Sequence, residues 1–475
     1  MIDGLKPYPE YEDSGALWLG SVPAHWSVLP NRAIFAEVKD RNHPDEEMLS
    51  VTITRGVIQQ KALLTDSSKK DSSNLNKSAY KLVCQGDIAY NKMRAWQGAI
   101  GVSDYRGIVS PAYVVMRLRD DYNPRYFHEL YRTPHFAKEA ERWSYGITSD
   151  MWSLRPEHFK MIYTTRPPRE EQDAIVRFLD HANRRIERYI RAKKKLIALL
   201  NEQKQAIIHH AVTRGLDPNV RLKPSGIPWL GDISKHWELT KLKHLSPQIT
   251  VGIVIQPARL YVPKGVPCLR SLNISRGTIM TKDLVFISEE SHRANSKSRL
   301  SEGDVVIVRT GRTGVAVIVS KAFHGANCVD LLIVRKSQRL LSEYLLMYLR
   351  SYAAISDIAF NSVGAIQAHY NTATLANLRI PLPFIAEQQA ILCSLEEELI
   401  PLDSANQRTE REIALIREYR TRLVADVVTG QLDVRAAAAK LPEEPEAEGE
   451  LVVESTGEDN EASEFEDMAS SDTIG

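Results

Sequence analysis

From Gln172 to Val212, apolar side chains recur at Ile175, Leu179, Ala182, Ile186, Tyr189, Leu196, Leu200 and Ile207, a three-and-four spacing interrupted by Lys193 and Gln203. That stripe predicts a long helix with a heptad seam. Pro167 and Pro168 precede Glu170 and Glu171, which suit the positive end of a helix dipole. His209, His210 and Arg214 crowd the other end before Gly215. A second stripe passes through Ile391, Leu395, Leu399, Leu402, Thr409, Ile413, Ile416, Leu423 and Val427. It opens after Pro381, Pro383 and Glu387 and closes at Gly430. A helix of about 41 residues is roughly 60 Å long at 1.5 Å per residue, too long to be buried in one small domain. The two stripes are therefore expected to cover each other, and antiparallel pairing would set a globular domain at either end, a dumbbell with pseudo-twofold symmetry. Separate packing of each helix on its own domain is the alternative that the lengths disfavour.

Ahead of each stripe the period changes. Short apolar runs such as Asp87 to Tyr90, Ile108 to Leu118, Asp304 to Val308 and Val315 to Ser320 predict strands and loops. The whole arrangement is written twice. "SGALWLGSVPAHW", Ser14 to Trp26, returns 211 positions later as "SGIPWLGDISKHW", Ser225 to Trp237, with seven of thirteen positions identical, among them two tryptophans and a histidine. "EQDAI" at Glu171 recurs as "EQQAI" at Glu387, and "VTRGLD" at Val212 recurs as "VTGQLD" at Val428. A weaker echo joins "QGDIAYNKMR" at Gln85 to "EGDVVIVRTG" at Glu302. Rare residues in register point to a duplicated unit of about half the chain.

The 475 residues suffice for two such copies. The formal charge of +1 conceals an asymmetry: residues 442–475 hold 13 Asp and Glu and no Lys or Arg, leaving 61 basic against 47 acidic residues in the rest, a net +14. The acidic tail, whose one aromatic residue is Phe465, is expected to be disordered. The basic body suits a nucleic-acid partner and equally an ordinary soluble surface. Cys84, Cys268, Cys328 and Cys393 lack the spacing of a zinc site or a disulfide framework. No apolar run approaches the roughly 20 residues of a membrane span, and no leader pattern opens the chain; a cytoplasmic protein with no membrane partner is expected.

Catalytic motifs are missing. "RTGRTG", Arg309 to Gly314, has glycines but not the lysine and hydroxyl of a phosphate-binding loop, and predicts a tight strand turn with exposed arginines. There is no H-E-x-x-H, no G-x-S-x-G and no Asn/Asp-Pro-Pro-aromatic loop for adenine methylation. Glu37-Val38-Lys39 matches the end of a nuclease carboxylate motif in three common residues, a pattern that usually marks a solvated face. His25 and His236 each precede a tryptophan in one repeated frame, which predicts a structural role closing the opening turn of a domain. Neither a catalytic nor a metal-binding residue is assigned.

The opening "SGxxWLGxxPxHW" frame, the "PPREEQDAI" and "PLPFIAEQQAI" starts of the long helices, the "VTRGLD" and "VTGQLD" exits and their duplication together resemble the specificity subunits of type I restriction-modification systems, over residues 1 to about 434. The acidic tail departs from that pattern. The resemblance implies an α/β (α+β) fold with two pseudo-symmetric target recognition domains, 1–166 and 216–382, separated by long helices at 167–215 and 383–434 that form an antiparallel coiled coil, with a disordered tail from 435 to 475. It implies a noncatalytic subunit that reads a bipartite site in double-stranded DNA. Two modification subunits would bring S-adenosylmethionine to methylate adenine, and restriction subunits would use ATP and Mg to translocate and cut. No cofactor is expected in this chain. A rigid spacer near one helical turn, about 34 Å, suits two readers on one face of a duplex. A coiled-coil scaffold without DNA readout, and a DNA-modifying enzyme with an unrecognised site, are the competing readings.

The resemblance supplies regions rather than contacts, so base readers are sought among loop side chains that match groove-edge donors and acceptors. The first domain offers Thr54, Arg55, Lys92, Arg94, Gln97 and Ser149, with Trp96 and Trp152 nearby. The second offers Arg270, Asn273, Arg309, Arg312, Thr313, Gln367 and His369. Arg177, Arg184, Arg185, Arg188, Arg191 and Lys193 to Lys195 line the first long helix, either to track phosphates between half-sites or as a solvated face.

Overall fold

Each copy of the repeated phrase folds into a small hairpin, because its two glycines supply positive φ where a Cβ would strain the turn. In the first, Tyr11–Asp13 pairs antiparallel with Ser21–Pro23 around Gly15 (φ 68°) and Gly20 (φ 63°). In the second, Leu222–Pro224 pairs with Asp232–Ser234 around Gly226 (φ 70°) and Gly231 (φ 67°). The computed structural model describes residues 5–64, 77–146, 152–275, 277–310, 314–361 and 370–442. The chain divides into two units, Met1–Arg191 with Glu412–Gly475, and Ala192–Arg411.

The units share a skeleton. In unit 1 a four-stranded antiparallel sheet runs in the order Phe35–Val38, Tyr113–Leu118, Ile88–Asn91, Ile100–Val102. Unit 2 repeats that order with Ile249–Val251, Leu331–Val334, Val305–Val308 and Ala316–Ile318. A second pairing stands just before each long helix: Ser27–Pro30 with Tyr163–Arg166, and Glu238–Lys241 with Arg379–Leu382. Three short helices follow each sheet, Pro124–Tyr131, Pro134–Arg142 and Pro156–Met161 in one, Ser342–Arg350, Tyr352–Asn361 and Thr372–Asn377 in the other. They close an aromatic core of Phe35, Tyr126, Phe127, Tyr131, Phe136 and Phe159 in unit 1 and a Leu- and Tyr-rich core around Tyr344, Tyr348 and Tyr370 in unit 2. The single strand expected over Ile108 to Leu118 is two, Gly107–Val109 and Tyr113–Leu118, broken at Pro111, which has no N–H for the ladder.

The echo around Gly-Asp has a physical basis. Gly86 and Gly303 both take φ 87°, and the following aspartates are buried. Asp87 accepts both Nε and Nη2 of Arg117 at 2.8 Å and the Cys84 amide at 2.9 Å. Asp304 accepts Arg335 Nη1 at 2.6 Å and the Ser301 amide at 2.8 Å. One buried carboxylate thus ties a turn to the central strand in each unit. The units differ in the further strands they carry on either side of that turn. Unit 1 carries the hairpin Leu49–Thr52/Gly56–Gln59 and the pair Lys81–Val83/Gly107–Val109. Unit 2 carries Tyr261–Val262, Val285–Ile287 and Val266–Leu269, the last joined in parallel by Asn327–Cys328.

The long helices are Arg169–Arg214 and Ile385–Val428. In unit 1 the start of the first lies antiparallel to the end of the second: Ile175, Phe178, Leu179 and Ala182 share a core with Leu423, Val427 and Val428, and Arg420 Nε donates to Asn183 Oδ1 at 3.0 Å. In unit 2, Ile208, Ala211 and Val212 share a core with Ile391, Leu395 and Leu399, and Asn406 Nδ2 donates to Asn201 Oδ1 at 3.0 Å. The stripe predicted on the second helix faces inward throughout. The one on the first slips: Tyr189 is 58% and Leu196 41% exposed, while Ile190 and Ile197 turn inward. The expected disordered tail also begins too early, since Arg435–Ala439 is helical, Val434 and Ala438 are buried, and the Asp433 amide donates to the Lys6 carbonyl at 2.8 Å. Residues 443–475 lie outside the described residues.

Candidate nucleic-acid interface

The repeated histidine and tryptophan meet the repeated Glu-Gln at the start of each long helix. In unit 1, Trp26 Nε1 donates to Glu171 Oε1 at 3.0 Å, His25 Nε2 lies 2.8 Å from Glu171 Oε2, and the Tyr8 hydroxyl donates to the same carboxylate. In unit 2, Trp237 Nε1 donates to Glu387 Oε1 at 3.0 Å and His236 Nε2 lies 3.1 Å from Glu387 Oε2. The glutamines finish the joint. Gln172 Nε2 donates to the Pro167 carbonyl and its Oε1 accepts the Asn123 amide, both at 2.8 Å. Gln388 bonds the Pro383 carbonyl and the Leu341 amide at 2.9 Å. Glu171, expected to serve the helix dipole, is a buried anchor with three donors. The glycines that end the helices close on the same tryptophans: a Cβ on Gly430 (φ 79°) would stand 2.4 Å from Pro23 and 3.0 Å from Trp26, and one on Gly215 (φ 83°) 3.2 Å from Trp237. The doubled phrase is a latch that fixes each sheet to its helices.

On that base unit 1 gathers most of its predicted readers. Thr54 and Arg55 are exposed at the tip of the 49–59 hairpin, where the Arg55 amide donates to Thr52 Oγ1 at 3.0 Å. Arg94 Nη1 donates to Gln97 Oε1 at 3.0 Å on the loop that follows Ile88–Asn91. Arg132 joins the two loops: its Nη2 donates to the carbonyls of Ile53 (2.9 Å) and Thr54 (2.7 Å), and its Nη1 to Gly98 (3.2 Å) and Ile100 (3.0 Å). Burial lowers the Arg132 pKa from its ordinary value. No pattern in the sequence marks Arg132. Lys92 is half-buried, and its carbonyl accepts the Leu154 amide at 2.9 Å; beside it Trp96 and Trp152 meet edge to face at 5.6 Å. Ser149 lies outside the described residues.

Unit 2 brings together fewer. Arg309 Nη1 pairs with Asp330 Oδ1 at 3.0 Å, and the neighbouring Val329 amide donates to the Leu269 carbonyl at 2.8 Å, so the segments that carry Arg270 and Arg309 are both tied to residues 329–330. Arg270 Nη2 donates to the Asp283 carbonyl at 2.6 Å. Asn273 is a correction. Its side chain is fully buried, donating to the carbonyls of Met280 and Lys282 at 3.1 Å and accepting the Arg270 amide at 3.0 Å, so it shapes the loop and offers no edge to a base. Arg312, Thr313, Gln367 and His369 lie outside the described residues.

Other chemistry resolves into structure. Glu37 sits beside Lys160 Nζ at 2.8 Å and Lys39 Nζ at 3.4 Å; burial pushes its pKa up, but the two ammonium groups outweigh burial and hold it below the ordinary carboxylate value. Burial raises the thiol of Cys268 to about 12, where it is inert. Among the described residues no group of three or more His, Cys, Asp or Glu is placed to hold a metal, and no helix is long and apolar enough to cross a membrane.

The sequence profile of the Type I restriction modification DNA specificity domain matches residues 250–412. The chain is 25% identical over 284 residues to the type I restriction enzyme MjaVIII specificity subunit of Methanocaldococcus jannaschii, covering 58% of this chain and 64% of that one. It is 27% identical over 176 residues to the EcoKI specificity subunit of Escherichia coli K12, covering 35% of this chain and 36% of that one. These matches thus span less than two thirds of the relatives' own length. A chain from a structure described as showing complex assembly and conformational transition of the type I R-M system superposes with a TM-score of 0.58 at 16% identity, over 86% of this chain and 98% of that one, a likeness of fold. With its twin units and twin latches, the chain is similar to the specificity subunits of type I restriction-modification systems, in sequence over part of its length and in fold over most of it.

Proposed function

We propose that this protein is the noncatalytic, sequence-reading subunit of a type I restriction-modification complex, with residues 1–166 and 216–382 each reading one half of a bipartite site in double-stranded DNA. The observation that carries this is the pairing of an identical skeleton with unlike insertions: one sheet order and one latch in both units, but a different set of strands and loops between the first strand and the Gly-Asp turn. A common scaffold with divergent loops is what two readers of two different half-sites need. In unit 1 the exposed Thr54, Arg55 and Gln97, with Arg94 and Lys92, form the reading edge; in unit 2 Arg270 and Arg309 do so, together with Arg312, Thr313, Gln367 and His369. Ser149 joins the first set. The long helices, 167–215 and 383–434, serve as spacer and as the seat of two modification subunits that bring S-adenosylmethionine. Restriction subunits supply ATP- and Mg-dependent translocation and cleavage. The complex works in the cytoplasm.

The test is selection from a randomised duplex library by the full chain, together with the proteins that co-purify with it from its host. Enriched sequences are expected to hold two short blocks at a constant gap. Arg55→Ala should relax one block and Arg309→Ala the other, each by about 1–3 kcal/mol per base pair read. Enrichment without a split motif, or both variants acting on the same block, would contradict the assignment.

A further inference from the structure

The helix that follows the central sheet ends on an arginine in both units. Arg132 comes directly after Pro124–Tyr131, and Arg350 is the last residue of Ser342–Arg350. One bond on either side fixes the correspondence. Six positions before each arginine a buried tyrosine donates its hydroxyl to the end of a long helix, Tyr126 to the Val428 carbonyl at 2.9 Å and Tyr344 to the Val212 carbonyl at 3.3 Å. One position after each, a hydroxyl bonds back to the helix, Thr133 Oγ1 to the Leu130 carbonyl at 2.8 Å and Ser351 Oγ to the Tyr348 carbonyl at 2.7 Å. From tyrosine to arginine the two segments agree at only two of seven positions. That is too little to stand out in the sequence, and it is the fold that aligns them.

Each arginine lies against the glycine of an inserted hairpin. A Cβ on Gly56 (φ 71°) would stand 3.3 Å from Arg132 Nη1, and one on Gly277 (φ 82°) 3.0 Å from Arg350 Nη2. Gly56 belongs to the hairpin Leu49–Thr52/Gly56–Gln59, and Gly277 to the turn of Ile274–Ser275/Thr278–Ile279. Both hairpins pack on the last strand of the four-stranded sheet, Ile100–Val102 in unit 1 and Ala316–Ile318 in unit 2. Arg132 shows what a guanidinium does in this place, donating to Ile53 and Thr54 on one loop and to Gly98 and Ile100 on the next. A planar fork of donors holds two loops at once, a geometry that the point charge of a lysine does not reproduce. Bonds from an ionised donor are also about twice as strong as neutral ones.

We propose that Arg132 and Arg350 are equivalent positioning residues, each the peg that holds its unit's inserted hairpin in place on the sheet and so sets what that unit reads. In unit 1 the hairpin tip carries Thr54 and Arg55 and the neighbouring loop carries Arg94 and Gln97, so Arg132 makes one reading edge of two loops. In unit 2 Arg350 steadies the hairpin that follows Arg270. Neither arginine has to touch DNA, because each acts through the backbone it holds. The insertions differ in sequence and in strand pattern around a socket that does not, which lets a unit change its loops and keep the way they are seated. The part played in reading rests on the functional proposal above; the peg itself does not.

Two measurements on the full chain separate them. Amide hydrogen exchange should be about tenfold faster or more in residues 49–59 of Arg132→Lys and Arg132→Gln, and in residues 274–279 of Arg350→Lys and Arg350→Gln. The central strands Tyr113–Leu118 and Leu331–Val334 should exchange as in the parent. Unchanged hairpins, or a rise that both variants of an arginine share with its central strand, would overturn the peg. In selection from a randomised duplex library, Arg132→Lys should weaken preference about three- to tenfold across one block and Arg350→Lys across the other. Nonspecific affinity should keep its salt slope even in the Gln variants, where loss of a phosphate contact would lower that slope by about 1. A lowered slope, or preference lost at a single base pair, would make the arginine a DNA contact and overturn the peg's part in reading. If the hairpins loosen but both blocks persist, the peg stands and reading by these hairpins fails. A parent chain that selects no split motif would instead sink the functional proposal and leave the exchange result intact.

Discussion

At the scale of the residue, the strongest constraints are buried carboxylates with several donors. Glu171 is 5% exposed and accepts Trp26, His25 and Tyr8, whereas the side chain of Glu387 is 30% exposed and, among the described residues, accepts Trp237 and His236. Removing a buried acceptor leaves its donors unmatched at about 1–3 kcal/mol each way of counting, so Glu171→Ala is expected to cost unit 1 about 3 kcal/mol and Glu387→Ala to cost unit 2 about 1 kcal/mol, read by hydrogen exchange under increasing denaturant. Equal losses would contradict the asymmetry. His128 gives a pH dependence. Its Nδ1 accepts the Val102 amide at 3.2 Å, and burial, followed by the charges of Arg132 and Arg125, pushes its pKa down to about 3. The folded value lies below the ordinary one, so this contribution to stability is whole above about pH 6.5 and is lost as pH falls toward 3. Melting of unit 1 between pH 7.5 and 5 should show a steeper loss in the parent than in His128→Asn; identical slopes would contradict it. The histidine–tryptophan pairs were legible as architecture because they recur in register. Their partner glutamates were visible only as helix-start residues, since nothing local announces a contact across 145 positions. Arg132 carried no signal at all, and Asn273 suggested a base reader because residue type does not reveal burial.

At the scale of the element, the two long helices test how far periodicity reaches. On the second, every apolar position of the predicted stripe turns inward; on the first, the stripe holds from Ile175 to Ile186 and again at Leu200 and Ile207, and is one residue off at Tyr189 and Leu196. The cause is polar residues in the seam. Lys193 turns partly inward, as do Asn183 and Lys204, which bond Arg420 and Asp403 across the pair, so hydrophobicity alone misplaces the face. Leu179→Ala should therefore destabilise unit 1 by about 2–5 kcal/mol, while Tyr189→Ala should change it by no more than about 0.5 kcal/mol. Denaturant titration of the full chain distinguishes them, and a large loss at Tyr189 would restore the first register. The strands were located to within a residue or two wherever a Gly-Asp turn preceded an apolar run. The insertions that set the units apart, rich in two- and three-residue strands, have no such punctuation.

At the scale of the whole molecule, duplication was the most legible feature, and it carried the sheet skeleton, the latch and the helix pairing within each unit. The part that differs between copies was the least legible, and for a physical reason: loops are free to vary once the latch and the Asp87–Arg117 and Asp304–Arg335 ties hold the skeleton under them. The repeated motifs serve the skeleton, and the proposed readers lie in loops outside them. The most direct test is a single-molecule map of methylated adenines in the host genome, with and without the gene for this chain. The account predicts the loss of one split motif, two short blocks at a fixed unspecified gap. A map that keeps every motif, or loses an uninterrupted one, would contradict it.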